Sequence, residues 1–255
     1  MGRRALWQRW LVLVTAGELA GFSLPAAVGV WSAEARPAAQ LFAMATAGLF
    51  EGALLGLAQA LVLQRVLPGF RPRAWIAATS LAAAAAWFLG MLPAATHDTW
   101  STWPVGWTVA GAGGGLALLC SIGLAQALVT PQGVRRVATW VGWTALGWGA
   151  GLTAFGVIAP PLWHEGQAPW ALTLIGLCGG LAMALAMAAV TGLGAVRLVA
   201  RAHDPKRRSL DPVTRRHHGG SRAERRTRGH GTFGSNEHPA GRAGSNMSGT
   251  STRKP

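Results

Sequence analysis

Three tryptophans, Trp10, Trp75 and Trp140, are spaced 65 residues apart along this chain of 255 residues. A small residue follows each of them 7 and 11 positions later, and these residues are Gly17 and Gly21, Ala82 and Ala86, and Gly147 and Gly151. Because steps of 7 and 11 return to nearly the same direction on a helix, each tryptophan shares one helix face with its two small residues. Self-similarity at a fixed period indicates an internal repeat, so the sequence predicts three copies of one helical unit.

Six stretches of the chain are apolar and about as long as the roughly 20 residues that a helix needs to cross the hydrocarbon of a bilayer. They are Trp10–Trp31, Leu41–Leu63, Ala74–Leu92, Val105–Val129, Val137–Ile158 and Trp170–Val196. None of them alternates apolar and polar residues as a half-buried strand does. A helix also satisfies its own backbone in lipid. We therefore expect an all-α integral membrane protein with six transmembrane helices.

The arginines of the membrane domain lie mainly on one side of these spans, and Arg36, near Glu34 in the first outer connection, is the exception. The others precede the first span, lie in the second and fourth connections and follow the sixth span: Arg3, Arg4, Arg9, Arg65, Arg71, Arg73, Arg135, Arg136, Arg197 and Arg201. The positive-inside rule therefore predicts that both termini are cytoplasmic. The N-terminal segment also reads as a secretory signal peptide. Glu18 within its apolar core and the repeat phase of Trp10 argue against cleavage.

The repeats extend over about residues 5–66, 71–130 and 135–200, and together they form a transmembrane domain over residues 1–200. Each repeat starts and ends on the cytoplasmic side, so the three helix pairs are parallel copies. We expect a pseudo-threefold axis along the membrane normal, an arrangement of parallel repeats that occurs in transporters. Duplication also produces inert bundles, and the symmetry alone therefore does not decide the function.

Residues 201–255 form a segment rich in Gly, Ser, Arg and His, and we expect a disordered cytoplasmic tail. After Val196 the chain carries 14 basic and 4 acidic residues, a net charge of +10. Such a tail attracts anionic lipid headgroups, at about 1 kcal/mol for each basic residue near the surface. We expect no nucleic-acid partner, because Phe233 is the only aromatic residue among these arginines.

The second helix of each repeat has a polar signature of its own. The segment from Gly56 through Gln59 to residue 62 recurs unchanged from Gly123 through Gln126 to residue 129, and Thr191 takes the corresponding place in the third copy. Small residues let membrane helices approach closely, and polar side chains join them by hydrogen bonds. We therefore predict that Gln59, Gln126 and Thr191 are polar helix-packing residues.

The repeated tryptophans lie close to the cytoplasmic ends of their spans. We interpret Trp10, Trp75 and Trp140 as interfacial anchors, because amphipathic rings favour the boundary between lipid and water. Their depth is similar to that of the polar packing residues. We therefore expect each indole N–H, or a neighbouring backbone group, to form a hydrogen bond with one of those side chains, which contributes on the order of 1 kcal/mol.

The pattern resembles a group of uncharacterised bacterial multi-pass membrane proteins that repeat Gly-x-x-Gln-x-x-x-Leu on one helix and Trp-x-x-x-Thr-x-x-Gly on the next. The matching residues are Gly56 with Gln59, Gly123 with Gln126, Trp75 with Thr79, and Trp140 with Thr144 and Gly147. The resemblance covers about residues 5–200, and the chain departs from it at Thr191 and in the alanine run 82–86. It implies a helical fold in the bacterial cytoplasmic membrane, and it implies no catalytic activity.

Two acidic residues, Glu18 and Glu51, lie near the middle of the first two predicted spans. A charged carboxylate at the centre of a bilayer costs several kcal/mol unless it is protonated, paired or hydrated. The sequence places no Lys or Arg at the same depth. The pair is either a proton or cation site in which two carboxyls share a proton, or a pair of protonated acids that are hydrogen-bonded to neighbouring helices.

The predicted outer connections contain His97 with Asp98 and His164 with Glu165. Imidazole and carboxylate suit zinc or copper, but the spacing matches no known metal motif, and we expect solvated loops and no metal site. The chain lacks the H-E-x-x-H, G-x-S-x-G and Walker motifs, so we also expect no cofactor and no enzymatic activity.

Two classes of function follow from these observations. The first is a non-catalytic membrane component that packs against a membrane partner or against itself as a homo-oligomer. This class predicts a closed bundle in which Glu18 and Glu51 are hydrogen-bonded. The second is a small proton- or cation-linked transporter or channel that uses the two acids. A hydrated cavity that reaches the acids is the feature that distinguishes this second class.

Overall fold

The computed structural model describes the backbone of residues 1–95, 104–130 and 134–202, and the side chains of residues 1–93, 113–130 and 137–202. Within these residues the chain forms six α-helices, α1 (Arg3–Trp31), α2 (Pro37–Leu63), α3 (Pro72–Ala95), α4 (Pro104–Leu128), α5 (Val134–Ile158) and α6 (Pro169–Ala202). A short 3₁₀ turn, Pro160–Leu162, follows α5. The described backbone contains no strand, and the prediction of an all-α chain is confirmed.

Proline marks the start of four of these helices, α2, α3, α4 and α6. At the first helical position proline loses no hydrogen bond, and its fixed φ already suits a helix. Glycine serves the turns between helices at two points. Gly69 lies between α2 and α3 with a φ of 72°, and Gly166 lies before α6 with a φ of 81°. Both values are in the left-handed region that glycine adopts without steric strain.

Five of the helices, α1, α2, α3, α5 and α6, are long and apolar enough to cross a membrane. In α4 the apolar part that can be assessed, Gly113–Leu128, is shorter. Many large apolar side chains lie on the outside of the bundle, among them Val12, Phe42, Leu81 and Leu146 at 62–66% exposure. Apolar surface on this scale suits lipid as the surrounding solvent, and the chain has the character of a multi-pass membrane protein.

The helices form a ring. Each helix packs mainly on the helix before it and the helix after it, and α6 packs on α1 to close the circle. Glycines allow the closest approaches. A Cβ on Gly52 of α2 would lie 2.7 Å from the Cα of Ser80 on α3, and one on Gly151 of α5 would lie 3.0 Å from the carbonyl oxygen of Met183 on α6. The inside of the ring is therefore lined by residues from all six helices.

Candidate functional site

Three indoles meet inside the ring near the starts of α1, α3 and α5. Trp10 and Trp75 are fully buried, and Trp140 is 2% exposed. The ring centroid of Trp140 lies 6.0 Å from that of Trp10 and 5.6 Å from that of Trp75. This burial corrects the interpretation of the three residues as interfacial anchors, because a ring enclosed by the bundle does not face lipid headgroups. The tryptophans pack against each other as a core.

Each of these indoles donates a hydrogen bond to a buried polar side chain on another helix. The three bonds, each 3.0 Å long, join Nε1 of Trp10 to Oγ1 of Thr191, Nε1 of Trp75 to Oε1 of Gln59, and Nε1 of Trp140 to Oε1 of Gln126. The hydrogen bonds that we expected from the sequence are therefore present. We call these six residues the tryptophan–glutamine network.

The amide of Gln126 extends this network across the ring. Its Nε2 donates to Oε1 of Gln59 at 2.7 Å and to Oγ1 of Thr79 at 2.9 Å. The hydroxyl of Thr79 in turn donates to the carbonyl oxygen of Trp75 at 2.8 Å. One side chain on α4 thus connects α2, α3 and α5, since it also accepts the indole bond of Trp140. Polar groups buried in a bundle stabilise it when they are satisfied in this way.

The two acids lie about two turns deeper in the bundle. Glu18 on α1 is fully buried, and Glu51 on α2 is 3% exposed. The two carboxyl groups are neighbours and interact with each other. Among the residues whose exposure the structure describes, they are the only buried acidic or basic side chains. No buried cation in that part of the chain balances the pair.

The partners of the two carboxyls differ. Nε1 of Trp87 on α3 donates a hydrogen bond to Oε2 of Glu51. Glu18 has no hydrogen-bond partner among the described residues apart from the carboxyl of Glu51. A buried carboxyl is costly unless it is protonated or paired. Glu18 is therefore the side chain of this bundle whose burial most needs an explanation.

Close packing of α1 on α2 brings the acids together. A Cβ on Gly17 would lie 3.0 Å from the carbonyl oxygen of Leu54, and one on Gly21 would lie 3.0 Å from the Cα of Glu51. Larger residues at these positions would separate the two helices. Glu18 lies between the two glycines in the sequence, one position after Gly17, and meets Glu51 because of this close contact.

A cavity of about 380 Å³ lies beside the acids, and all six helices contribute to its wall. Glu51 is the only acidic or basic side chain in the described lining. Four aromatic rings also contribute, those of Phe22, Trp87, Trp148 and Phe155, and the other lining residues are glycine or apolar. We call this space, together with Glu18 and Glu51, the acid cavity.

Trp87 was not predicted from the sequence as a neighbour of the acids, although the repeat contained a signal for it. Trp87 lies 65 residues after Phe22, which is the spacing of the repeated tryptophans. Phe22 and Trp87 line the same cavity and stack with ring centroids 6.4 Å apart and an interplanar angle of 27°. If the copies are aligned at Phe22 as well as at the repeated glycines, Trp87 takes the equivalent position in the second copy. That alignment predicts that Trp87 lies near the acids.

The outer connections add no metal site in the described part of the chain. His164 and Glu165 are exposed between α5 and α6. The described residues contain no group of three or more His, Cys, Asp or Glu side chains that could hold a metal ion. His97 and Asp98 lie outside the described residues, as does the tail from residue 203 onwards.

Comparisons with protein-family models, with curated proteins and with solved structures give no match to this chain. The chemistry of the acid cavity must therefore be argued from its own residues.

Proposed function

We propose the second of the two classes, in which this protein is a small proton-linked cation transporter that moves cations in exchange for protons at Glu18 and Glu51. The observation that carries the proposal is the cavity of about 380 Å³ that reaches Glu51. Glu51 belongs to a buried pair of acids, and no buried cation among the described residues balances the charge of that pair. Ionisable residues inside a membrane domain are expensive, and they mark ion pathways and proton relays.

The alternative class, a bundle that only packs against a partner or against itself, explains part of the same geometry. The bond from Trp87 to Glu51 is of the kind that this class predicts. The cavity, and a Glu18 whose only partner among the described residues is a second acid, are not. A bundle selected only for packing has no reason to keep an empty space beside a buried pair of acids. The transporter class accounts for all three features.

We further infer that the scaffold has six spans, arranged as three parallel helix pairs about a pseudo-threefold axis, with both termini in the cytoplasm. The cavity lining supports the repeat, because residues at the repeat spacing line it together. Two such sets are Phe22, Trp87 and Leu152, and Glu51, Leu118 and Met183. The arginine distribution supports the orientation. We also propose that the protein lies in the bacterial cytoplasmic membrane, as the sequence led us to expect.

The exchange follows from the cost of charge in this setting. Two carboxylates that share one apolar site repel each other, so the resting pair holds at least one proton. A cation that enters the cavity pairs with Glu51, and one proton leaves the pair for water. The net charge of the site is unchanged by this replacement. Cation movement in one direction is thereby linked to proton movement in the other.

The experiment is proton movement in liposomes that contain the full-length protein and a trapped pH-sensitive dye. A panel of inorganic and organic cations is added outside. We expect at least one of them to drive protons out of liposomes with the wild-type protein. Glu51→Gln and Glu18→Gln should both abolish this movement, because an amide cannot release a proton. Glu34→Gln, which changes an exposed acid between α1 and α2, is the control and should retain it.

The outcomes are distinct once each variant has been shown to unfold at the wild-type temperature in detergent. The proposal is overturned if no cation in the panel moves protons through the wild-type protein. It is also overturned if Glu51→Gln moves protons as the wild type does. Loss of movement in both acid variants, with Glu34→Gln unaffected, supports it.

A further inference from the structure

The lining of the acid cavity distinguishes between classes of cation. Hard inorganic cations such as Ca²⁺ and Mg²⁺ are held by about six or more oxygen ligands, from the protein and from retained water. The described lining offers a single carboxyl, that of Glu51, among apolar and aromatic side chains. An ammonium ion that carries apolar groups has different needs. It requires one counter-ion, aromatic faces for its charge and apolar walls for its substituents.

Aromatic rings form a continuous row across the cavity. Phe22 on α1 stacks against Trp87 on α3, with centroids 6.4 Å apart. On its other side Phe22 meets Phe155 on α5 edge to face, with centroids 5.7 Å apart and an interplanar angle of 76°. One end of this row is Trp87, which holds Glu51 through its indole N–H. The carboxyl of Glu51 therefore lies at the edge of an aromatic ring that lines the cavity.

We propose that the acid cavity binds an organic ammonium ion with apolar substituents, for which Glu51 is the counter-ion and Trp87 and Phe22 are the aromatic walls. This inference rests on the proposed function and specifies its substrate class. The ion enters chemically unchanged, and one proton passes from the Glu18–Glu51 pair to water as it binds. Quaternary ammonium ions are recognised by aromatic side chains in this manner, at about 2 kcal/mol or more where the site is free of water.

The size of the cavity agrees with this class of ligand. Small-molecule sites in proteins occupy about 300–1,000 Å³. The cavity measures about 380 Å³, which suits a single small organic ion rather than a long lipid chain. A neutral apolar molecule would match the walls but could not replace the proton that the Glu18–Glu51 pair holds. Charge complementarity therefore favours the cation over a neutral occupant.

The experiment measures binding of radiolabelled benzyltrimethylammonium to the full-length protein in lipid nanodiscs, together with proton release in weak buffer. Its neutral carbon analogue, neopentylbenzene, has the same shape and serves as a competitor, as do Na⁺ and K⁺. We expect saturable binding with one proton released for each ion bound. We expect little competition from the neutral analogue or from the two inorganic ions.

Three variants connect the binding to the cavity. Glu51→Gln should weaken it by about tenfold or more, because the counter-ion is lost. Ala86→Phe places a ring in the cavity and should abolish binding. Ala85→Phe adds the same ring on the exposed side of α3 and should leave binding unchanged. This pair of alanine variants separates occupation of the cavity from a general effect of a bulkier α3.

Each of the other outcomes contradicts the substrate class, the proton exchange or the position of the binding site. If Na⁺ or K⁺ drives proton movement that depends on Glu51 while benzyltrimethylammonium does not bind, the substrate class is wrong and the proton exchange stands. If neopentylbenzene competes fully and Glu51→Gln binds like the wild type, the cavity is a neutral apolar site and both proposals fail. Equal binding to Ala86→Phe and Ala85→Phe places the ion outside the cavity and overturns the inference.

Discussion

The tryptophan–glutamine network and the acid cavity lie within the same ring of helices, but their polar groups are satisfied differently. Every indole N–H of the network has an acceptor at 3.0 Å. In the acid cavity, Glu51 accepts one bond from Trp87, and Glu18 has no partner among the described residues except the carboxyl of Glu51. Satisfied buried polar groups rigidify a core, whereas a buried pair of acids without a cation needs an explanation. The contrast separates a structural region from a functional one.

The two regions also differ in how they relate to the repeat. The network positions carry tryptophan in all three copies and glutamine in two of them. The acids do not recur, since Ala83 and Trp148 occupy the positions equivalent to Glu18. Both of these residues line the cavity. Recurring residues thus hold the scaffold together, and the two acids, which do not recur, give the cavity its charge.

The largest expected effect comes from removing the centre of the network. Trp140 contacts both other indoles and donates a bond to Gln126, so Trp140→Ala leaves a large cavity and an unpaired amide oxygen. We expect a loss of about 3–5 kcal/mol in the free energy of unfolding, measured by denaturant titration in detergent and followed by circular dichroism. Trp31→Ala, at a position that is 75% exposed, is the control. Equal losses in the two variants would mean that the network contributes no special stability.

Much of this structural region could be predicted from the sequence. The 65-residue spacing located Trp10, Trp75 and Trp140, and the similar depths of the predicted spans paired them with their polar acceptors. The predicted anchoring role was wrong, because depth along a helix does not reveal whether a face points inward or outward. The same small residues that mark each face also indicate close packing, and they should have outweighed the preference of tryptophan for the interface.

The second prediction concerns the contact between α2 and α3 that borders both regions. A Cβ on Gly52 would lie 2.7 Å from the Cα of Ser80 and 2.7 Å from the carbonyl oxygen of Thr79. Backbone atoms cannot move aside easily, so Gly52→Ala should cost about 1–3 kcal/mol in the free energy of unfolding. Gly114→Ala is the matched control, because its Cβ would meet nothing within 4 Å. It should raise helix stability by up to about 1 kcal/mol.

These glycine variants sharpen the comparison when ammonium binding is measured as well. Gly52 lines the acid cavity, and Gly52→Ala should weaken binding beyond its effect on stability. If Gly52→Ala is as stable as Gly114→Ala, the close approach of α2 and α3 is not required for the ring.

The functional region was only partly predictable. The depth of Glu18 and Glu51 was evident, because acidic residues stand out in apolar spans. Their contact was not, since it depends on how closely α1 approaches α2 at Gly21. The cavity was also beyond a single sequence, because empty space results from the packing of all six helices and has no residue pattern of its own. Only the recurrence of Phe22 as Trp87 pointed to it.

The smallest expected effect concerns two threonines at equivalent positions of the repeat. It tests whether an unpartnered buried group distinguishes the acid cavity from the tryptophan–glutamine network. Thr79 and Thr144 lie 65 residues apart, and both are buried. The hydroxyl of Thr79 accepts a bond from Gln126, whereas that of Thr144 has no partner among the described residues. The cause is the third copy of the repeat, in which Thr191 replaces glutamine and has no amide to donate.

Thr79→Val should therefore lower the free energy of unfolding by about 1 kcal/mol, because the amide of Gln126 loses an acceptor. Thr144→Val should leave stability unchanged or raise it slightly, since valine has nearly the same shape and removes a hydroxyl that forms no bond. Thermal unfolding of both variants in the same detergent measures the difference. An equal loss in the two would show that Thr144 is satisfied after all, and that an unpartnered group is no guide to function in this bundle. That result would weaken the argument for Glu18 as well, because its role rests on the same kind of observation.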